Sequence, residues 1–356
     1  MRRDSASAAQ AGAARPVRRA RGPKWFFSAA SGVVVVCLLY FSLRQVHVTG
    51  ILDQLRRLGP WQILAILALD SLIYAFFGAR WWLLVRAENP AARLSDAIAV
   101  RLSVFGASYF TFGPQVGGEP IQILYMRRRH GSTLARATAT VALDKLLELL
   151  ANFPFLLLGI GALLRTGIFR AANGSVTIGL VAVVVLASWP LVHILLLRRG
   201  HYPFSGALKI IPLLHRPQSL LGRYIRVSER LVARFCQRRP GLMVSVLAVS
   251  LGACLLAVME YALITSFLAV RLSPWQTVSA WTAGWLSFLV PVPAGVGALE
   301  ASQVLALGVF GATADAAIGV SLLMRARDIL FGGAGLLLAW GSLRSVQSNR
   351  EPDSVL

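Results

Sequence analysis

Residues 97–126 read AIAVRLSVFGASYFTFGPQVGGEPIQILYM, an apolar run that breaks at Gly113, Pro114, Gly117, Gly118 and Pro120 before resuming as IQILYM. Proline removes a helical hydrogen bond and glycine weakens a helix, so this stretch is expected to turn back at its middle instead of crossing a bilayer. Residues 275–310 repeat the pattern: WQTVSAWTAGWLSFLV runs into Pro291, Pro293, Gly295 and Gly297 and resumes as VLALGVF. Both stretches are predicted to be re-entrant hairpins. Six other stretches are unbroken, at 25–43, 61–86, 137–165, 175–197, 241–270 and 314–341, and each is close to or above the roughly 20 apolar residues that a spanning helix needs. The predicted fold is an all-α polytopic membrane protein of about six full transmembrane helices plus two re-entrant helical hairpins.

Composition supports the membrane class. The chain of 356 residues is 56% hydrophobic and only 14% charged, with a mean hydropathy of +0.65, whereas a soluble domain is roughly 25% charged. Disorder and a water-soluble fold are both disfavoured. The net charge of +21 would suggest nucleic acid in a soluble protein, but the basic residues fall between apolar stretches, where they act as topology signals. No nucleic-acid partner is expected. Cys37, Cys236 and Cys254 are far apart with no metal-binding spacing, so neither a disulfide framework nor a metal or other cofactor is indicated.

Short loops rich in Lys and Arg stay in the cytoplasm. With six spans and two hairpins, the basic tail 1–24, the segment around Arg86 and Arg93, the run Arg127, Arg128, Arg129 and Arg136, and the loop from Arg198 to Arg239 all fall on that side, as does the tail 342–356. Both termini are therefore expected in the cytoplasm. The loop from Arg44 to Arg57 is placed outside despite its three arginines. The basic start followed by an apolar core reads as an uncleaved anchor, because no small-x-small cleavage pattern follows Leu43. Within an amphipathic segment at about 205–239, Leu220, Leu221, Tyr224, Val227, Leu231 and Phe235 recur at helical spacing opposite Arg223, Arg226, Arg230 and Arg234. That pattern fits a helix lying on an anionic membrane surface, or a solvated basic connector. Trp25, Trp61, Trp81, Trp82, Trp275 and Trp340 lie near predicted span ends and are expected to form interfacial belts.

Within a single domain over 25–341, the two broken stretches define repeat halves at about 61–165 and 241–341. Each turn is followed by a glutamate, Glu119 or Glu300, and about 25 residues later by a cation in the next span, Lys145 or Arg325. On the topology above the first hairpin enters from the cytoplasm and the second from outside, which makes the repeat inverted. Paired Gly/Pro-interrupted segments of this kind point to a transporter's central site. Charges near a bilayer centre cost about 2.5–3.5 kcal/mol each and are rarely idle. The candidate site is therefore Glu119, Glu300, Arg325, Lys145, Asp144, Arg327, Asp328 and Glu148. Glu119 and Glu300 are expected near Lys145 and Arg325 in a polar cavity between the halves, with Arg325 pairing locally to Asp328 and Arg327 reaching elsewhere. Surplus cations would bind an anionic headgroup. Asp70 and Glu260 stand alone in their helices and read as hydrogen-bonded to a neighbouring span.

At these residues the sequence resembles the family named for lysylphosphatidylglycerol synthase, also called flippase-like. GGEPIQILYMRRRHG with TLARATATVALDKLLELL looks like the family's GxGEx(L/V)R turn and Asp-Arg helix. LVPVPAGVGALEASQVLALGVFGATADAAIGVSLLMRARDIL looks like its P(x)PGGxGxxE turn and terminal Arg-bearing helix. The resemblance covers roughly residues 25–341, and RARD followed by GGAGLLLAW is also similar to hopanoid-associated members. Lys145 stands where arginine is usual, Gln122 near a common arginine, and Ala294 in place of a glycine. The resemblance implies a lipid flippase or transporter in a bacterial cytoplasmic membrane, acting on an anionic phospholipid or another amphiphile. It also implies a chain without the aminoacyl transferase domain, since about 15 residues follow the last expected span. No enzymatic motif is evident in the sequence. The competing expectations are an accessory subunit of a lipid-modifying enzyme and, behind it, a membrane enzyme.

Overall fold

The computed structural model describes residues 56, 58–111, 117–165, 175–207, 220–288 and 295–348. The expected first span at 25–43, the tail 1–24 and the turn residues Gly113, Pro114, Pro291 and Pro293 lie outside them. The described residues form helices and no strands: α1 (Pro60–Glu88), α2 (Leu94–Phe110), α3 (Glu119–Arg129), α4 (Leu134–Arg165), α5 (Ser175–Arg198), α6 (Pro203–Ala207), α7 (Leu220–Arg238), α8 (Pro240–Phe267), α9 (Pro274–Ser287), α10 (Ala298–Val309) and α11 (Ala314–Ser348).

Several of these helices begin where local chemistry dictates. Pro60, Pro240 and Pro274 open α1, α8 and α9, where a missing N–H costs nothing. Ser273 and Gln276 cap α9 reciprocally: the Gln276 N–H donates to Ser273 Oγ at 3.4 Å and the Ser273 N–H to Gln276 Oε1 at 2.8 Å. Five helices, α1, α4, α5, α8 and α11, have 24 to 35 residues and occupy the expected stretches from 61–86 to 314–341. Among the described residues, α1 and α8 are long and apolar enough to cross a membrane. In α4 and α11 the apolar run is interrupted by the charges of the candidate site.

The two broken stretches become two pairs of short helices. Helices α2 and α3 have 17 and 11 residues, α9 and α10 have 14 and 12, and at 1.5 Å per residue none exceeds about 26 Å. The members of each pair pack against each other. Packing repeats between the halves: α2 lies along α11, α9 along α4, and α1 along α8. At the α2/α11 crossing the backbones nearly touch, for a Cβ added to Gly335 would sit 2.0 Å from the Leu102 carbonyl oxygen. At the α4/α9 crossing the Ser279 hydroxyl donates to the Gly159 carbonyl at 3.1 Å and Thr282 to that of Phe155 at 3.3 Å. Small residues let helices approach closely where lipid provides no hydrophobic drive, and hydroxyls join them.

Apolar residues are buried in a cluster shared by α8, α9, α10 and α11 and in another shared by α4, α5, α7 and α8. Others face outward in numbers unusual for a soluble surface, among them Leu64, Val244, Leu255, Leu305 and Leu337.

Two expectations are corrected here. Helix α7 turns part of its apolar side toward the bundle. Val232, Ala233 and Cys236 are buried against Leu143 and Leu147 of α4 and Leu197 of α5, and Val227, assigned to the apolar face, is exposed. Arg223, Arg230 and Arg234 do face outward. The buried Glu229 carboxylate accepts the backbone N–H groups of Phe204 and Ser205 at 2.8 Å and the Ser205 hydroxyl, which fastens α6 to α7. Trp81 is fully buried rather than interfacial, while Trp61 and Trp275 are exposed.

Candidate functional site

Both turns are built in the same way. Gly117 and Gly297 have φ of 128° and 79°, a region that favours glycine. The Gly117 N–H donates to Glu119 Oε2 at 2.8 Å, and the Gly297 N–H to Glu300 Oε2 at 2.9 Å. In each case the other carboxylate oxygen faces the cation of the following long helix: Glu119 Oε1 lies 3.6 Å from Lys145 Nζ, and Glu300 Oε1 lies 2.5 Å from Arg325 Nη2. One carboxylate thus caps the turn and ties it to the bundle. Gly118 adds a backbone bond to Ser108 Oγ at 2.8 Å, and the Gly295 carbonyl accepts from Arg325 at 3.5 Å.

Two charge clusters extend from these turns. In the first half, Asp144 is fully buried and its Oδ1 takes Arg80 Nε at 2.8 Å, while its Oδ2 takes Arg101 Nη1 at 3.1 Å. Glu148 Oε2 bridges the same two guanidinium groups at 2.5 and 3.3 Å, and its Oε1 lies 3.4 Å from Lys145 Nζ. Gln122 Nε2 donates to Asp144 at 3.5 Å. In the second half, Arg327 pairs with Glu260 of α8 and with Asp328 at 3.1 Å. The expected local pair of Arg325 with Asp328 is not made. Arg325 is instead taken by Glu300 of α10, and Asp328 by Arg327.

Part of each cluster lines one cavity of about 170 Å³, but of the expected site residues Glu119, Asp144, Glu300 and Arg325 are not in its wall, because their contacts tie the turns and helices together behind it. Asp70, Arg80, Arg101, Lys145 and Glu148 line it from the first half, and Glu260, Arg327 and Asp328 from the second. Tyr74, Trp281 and Phe288 supply aromatic wall. Among the described residues, the two clusters hold Arg80, Arg101, Lys145, Arg325 and Arg327 against Asp70, Glu119, Asp144, Glu148, Glu260, Glu300 and Asp328, so carboxylates are in excess. The expected surplus of cations is absent, because each cation meets at least one carboxylate. No group of three His, Cys, Asp or Glu side chains among the described residues is arranged to hold a metal ion.

Residues 28–334 match the family described as the lysylphosphatidylglycerol synthase TM region. The chain belongs to that family. It is a membrane protein, and the match takes in both turns, both charge clusters and the cavity. The chain is also 25% identical over 134 residues to a UPF0104 membrane protein of Methanothermobacter thermautotrophicus, over 38% of this chain and 39% of that protein. The chain thus spans about two fifths of that relative's length. No solved structure matches. In this member of the family, the GGEP motif opens α3, the ALDKLLELL motif carries the first cluster on α4, GVGALE opens α10 and RARD lies on α11.

Sequence reasoning overlooked Arg80 and Arg101, which hold the first cluster together. A signal existed. Both lie inside apolar runs, and Arg80 stands 180 residues before Glu260, the same spacing as Lys145 to Arg325 and Glu148 to Asp328.

Proposed function

We propose that this protein is a lipid transporter whose cavity receives a polar headgroup while the acyl chains stay in the bilayer. The observation that carries the reading is one cavity lined by both repeat halves, with charges and aromatic rings on its walls. Buried charges retained at a half-to-half junction are costly unless they serve a passing polar group. The two short-helix pairs act as re-entrant hairpins entering from opposite sides, and the halves form an inverted repeat. The termini and the outward arginines of α7 lie in the cytoplasm of a bacterial cell, next to anionic lipid.

Lys145 is the cation best placed to meet a headgroup phosphate. It is 28% exposed, lines the cavity, and its ion pairs are long, at 3.6 Å to Glu119 and 3.4 Å to Glu148. A phosphate that takes Lys145 from Glu119 loosens the first turn at the same moment, which links headgroup binding to hairpin movement. The buried guanidinium groups are held by shorter contacts and serve to position the carboxylates.

The test is leaflet exchange of labelled phospholipid in proteoliposomes. The full chain is expected to accelerate exchange over protein-free vesicles, Lys145→Met to slow it by about tenfold or more, and Lys145→Arg to retain most of it, taking loss of a charge-assisted hydrogen bond as about 1.5–3 kcal/mol. Equal exchange with and without the protein, for phospholipids of every headgroup charge, contradicts the reading. An accessory role is the second reading, favoured by the outward arginine face of α7. Stoichiometric co-purification of a lipid-modifying enzyme would support it.

A further inference from the structure

The acid excess is concentrated at one place. Asp70 of α1, Glu260 of α8 and Asp328 of α11 line the same cavity as Arg327, which pairs with Glu260 and with Asp328. Neighbouring Arg325 and Glu300 neutralise each other as a pair. If every carboxylate is ionised, the remaining group carries two uncompensated negative charges. Asp70 and Glu260 are 4% and 1% exposed. Asp70 Oδ2 and Glu260 Oε1 have no hydrogen-bond partner, and both residues line the cavity. A buried carboxylate oxygen without a donor is strongly unfavourable, and a proton removes the charge that makes it so.

We propose that Asp70, Glu260 and Asp328, set around Arg327 at the second half's end of the cavity, form a proton-binding centre that couples headgroup movement to proton uptake and release. The inference rests on the transport reading and names its coupling ion. A proton fits better than a metal cation, because the guanidinium at the centre repels a bound ion and the described residues offer no metal-binding donor set. Uptake of two protons converts two carboxylates to neutral carboxyls and balances the charge; release on the other side regenerates them. Close acids titrate jointly, so the protons belong to the centre and not to one residue. Among the described residues, the other ionisable groups at this end are Tyr74 on α1, Tyr109 on α2 and Tyr261 on α8, whose hydroxyl donates to Gln303, with Arg325 on α11 and Glu300 on α10; α9 has none. Arg80 of α1, Arg101 of α2, and Lys145 and Glu148 of α4 line the same cavity but are paired within the other cluster.

The experiment combines two readouts on the purified full-length chain. Infrared difference spectra between alkaline and mildly acidic buffer are expected to show a carboxylic-acid C=O band that shrinks in both Asp70→Asn and Glu260→Gln and persists in Asp70→Glu. In proteoliposomes containing phosphatidylglycerol and phosphatidylethanolamine, an imposed pH gradient is expected to shift the steady-state leaflet ratio roughly tenfold per pH unit for each proton carried. That dependence should be lost in Asp70→Asn. A band unchanged in both variants, or a leaflet ratio that follows a sodium gradient and ignores pH, overturns the proton centre. A band that behaves as expected in a protein that moves no lipid supports the centre and defeats the transport reading.

Discussion

Arg80 carries more of the site than any residue picked out from the sequence. Its guanidinium is 1% exposed and ties Asp144 and Glu148 together. Removing one partner of a buried ion network leaves charges stranded, which typically costs about 3–5 kcal/mol. Arg80→Met is therefore expected to lower stability by about that amount, read as the midpoint of thermal unfolding in detergent, and Arg80→Lys to recover only part of it because the fork geometry is lost. Glu119 and Glu300 show what sequence spacing reveals and what it omits. Their distances to Lys145 and Arg325 follow from a turn packing on the next long helix, and the near-equal offsets of 26 and 25 residues make that relation visible. The second oxygen's bond to the turn glycine was hidden, since a side chain's return to backbone two or three residues away depends on the local φ of Gly117 and Gly297.

Among the elements, the long helices were legible because uninterrupted apolar runs and proline starts fix them. Residues 241–270 became Pro240–Phe267 and 175–197 became Ser175–Arg198. Helix α7 was only half legible. The spacing of its arginines identifies the outward face, but a helical period does not say whether lipid or α4 covers the other side. Its docking is directly testable at Cys236, where burial pushes the thiol up to about 11, so that about one thiol in a thousand is ionised near pH 8. With Cys37 and Cys254 replaced by serine, maleimide labelling of the native protein is expected to be very slow and to become fast on denaturation. Rapid labelling of the native state would place α7 away from the bundle. At the α2/α11 crossing, Gly335→Ala forces a Cβ against the Leu102 carbonyl and is expected to cost about 1–3 kcal/mol or more. Gly161→Ala on α4 meets nothing within 4 Å and is expected to be neutral or slightly stabilising. Thermal unfolding of the two variants in parallel separates them.

For the whole molecule, packing of α2 on α11 and of α9 on α4, the first helix of each short pair against the other half's last long helix, brings residues of both charge clusters to one cavity. The sequence shows the repeat through its offsets, yet not that Arg80 and Arg101 cross 64 and 43 residues to reach Asp144. Partners so distant are chosen by tertiary packing, and no local pattern encodes them. The same packing accounts for the carboxylate excess, because Asp70 and Glu260 come from α1 and α8, one in each half, and line one cavity when the halves join. The proposed route for a headgroup runs through this junction. The most direct test of that claim is leaflet exchange of labelled phospholipid by Ala257→Trp, which adds bulk to the cavity wall on α8 without altering a charge. The account predicts that the variant, folded and as heat-stable as the unmodified chain, moves lipid no faster than protein-free vesicles. Exchange at the unmodified rate through a filled cavity would contradict it.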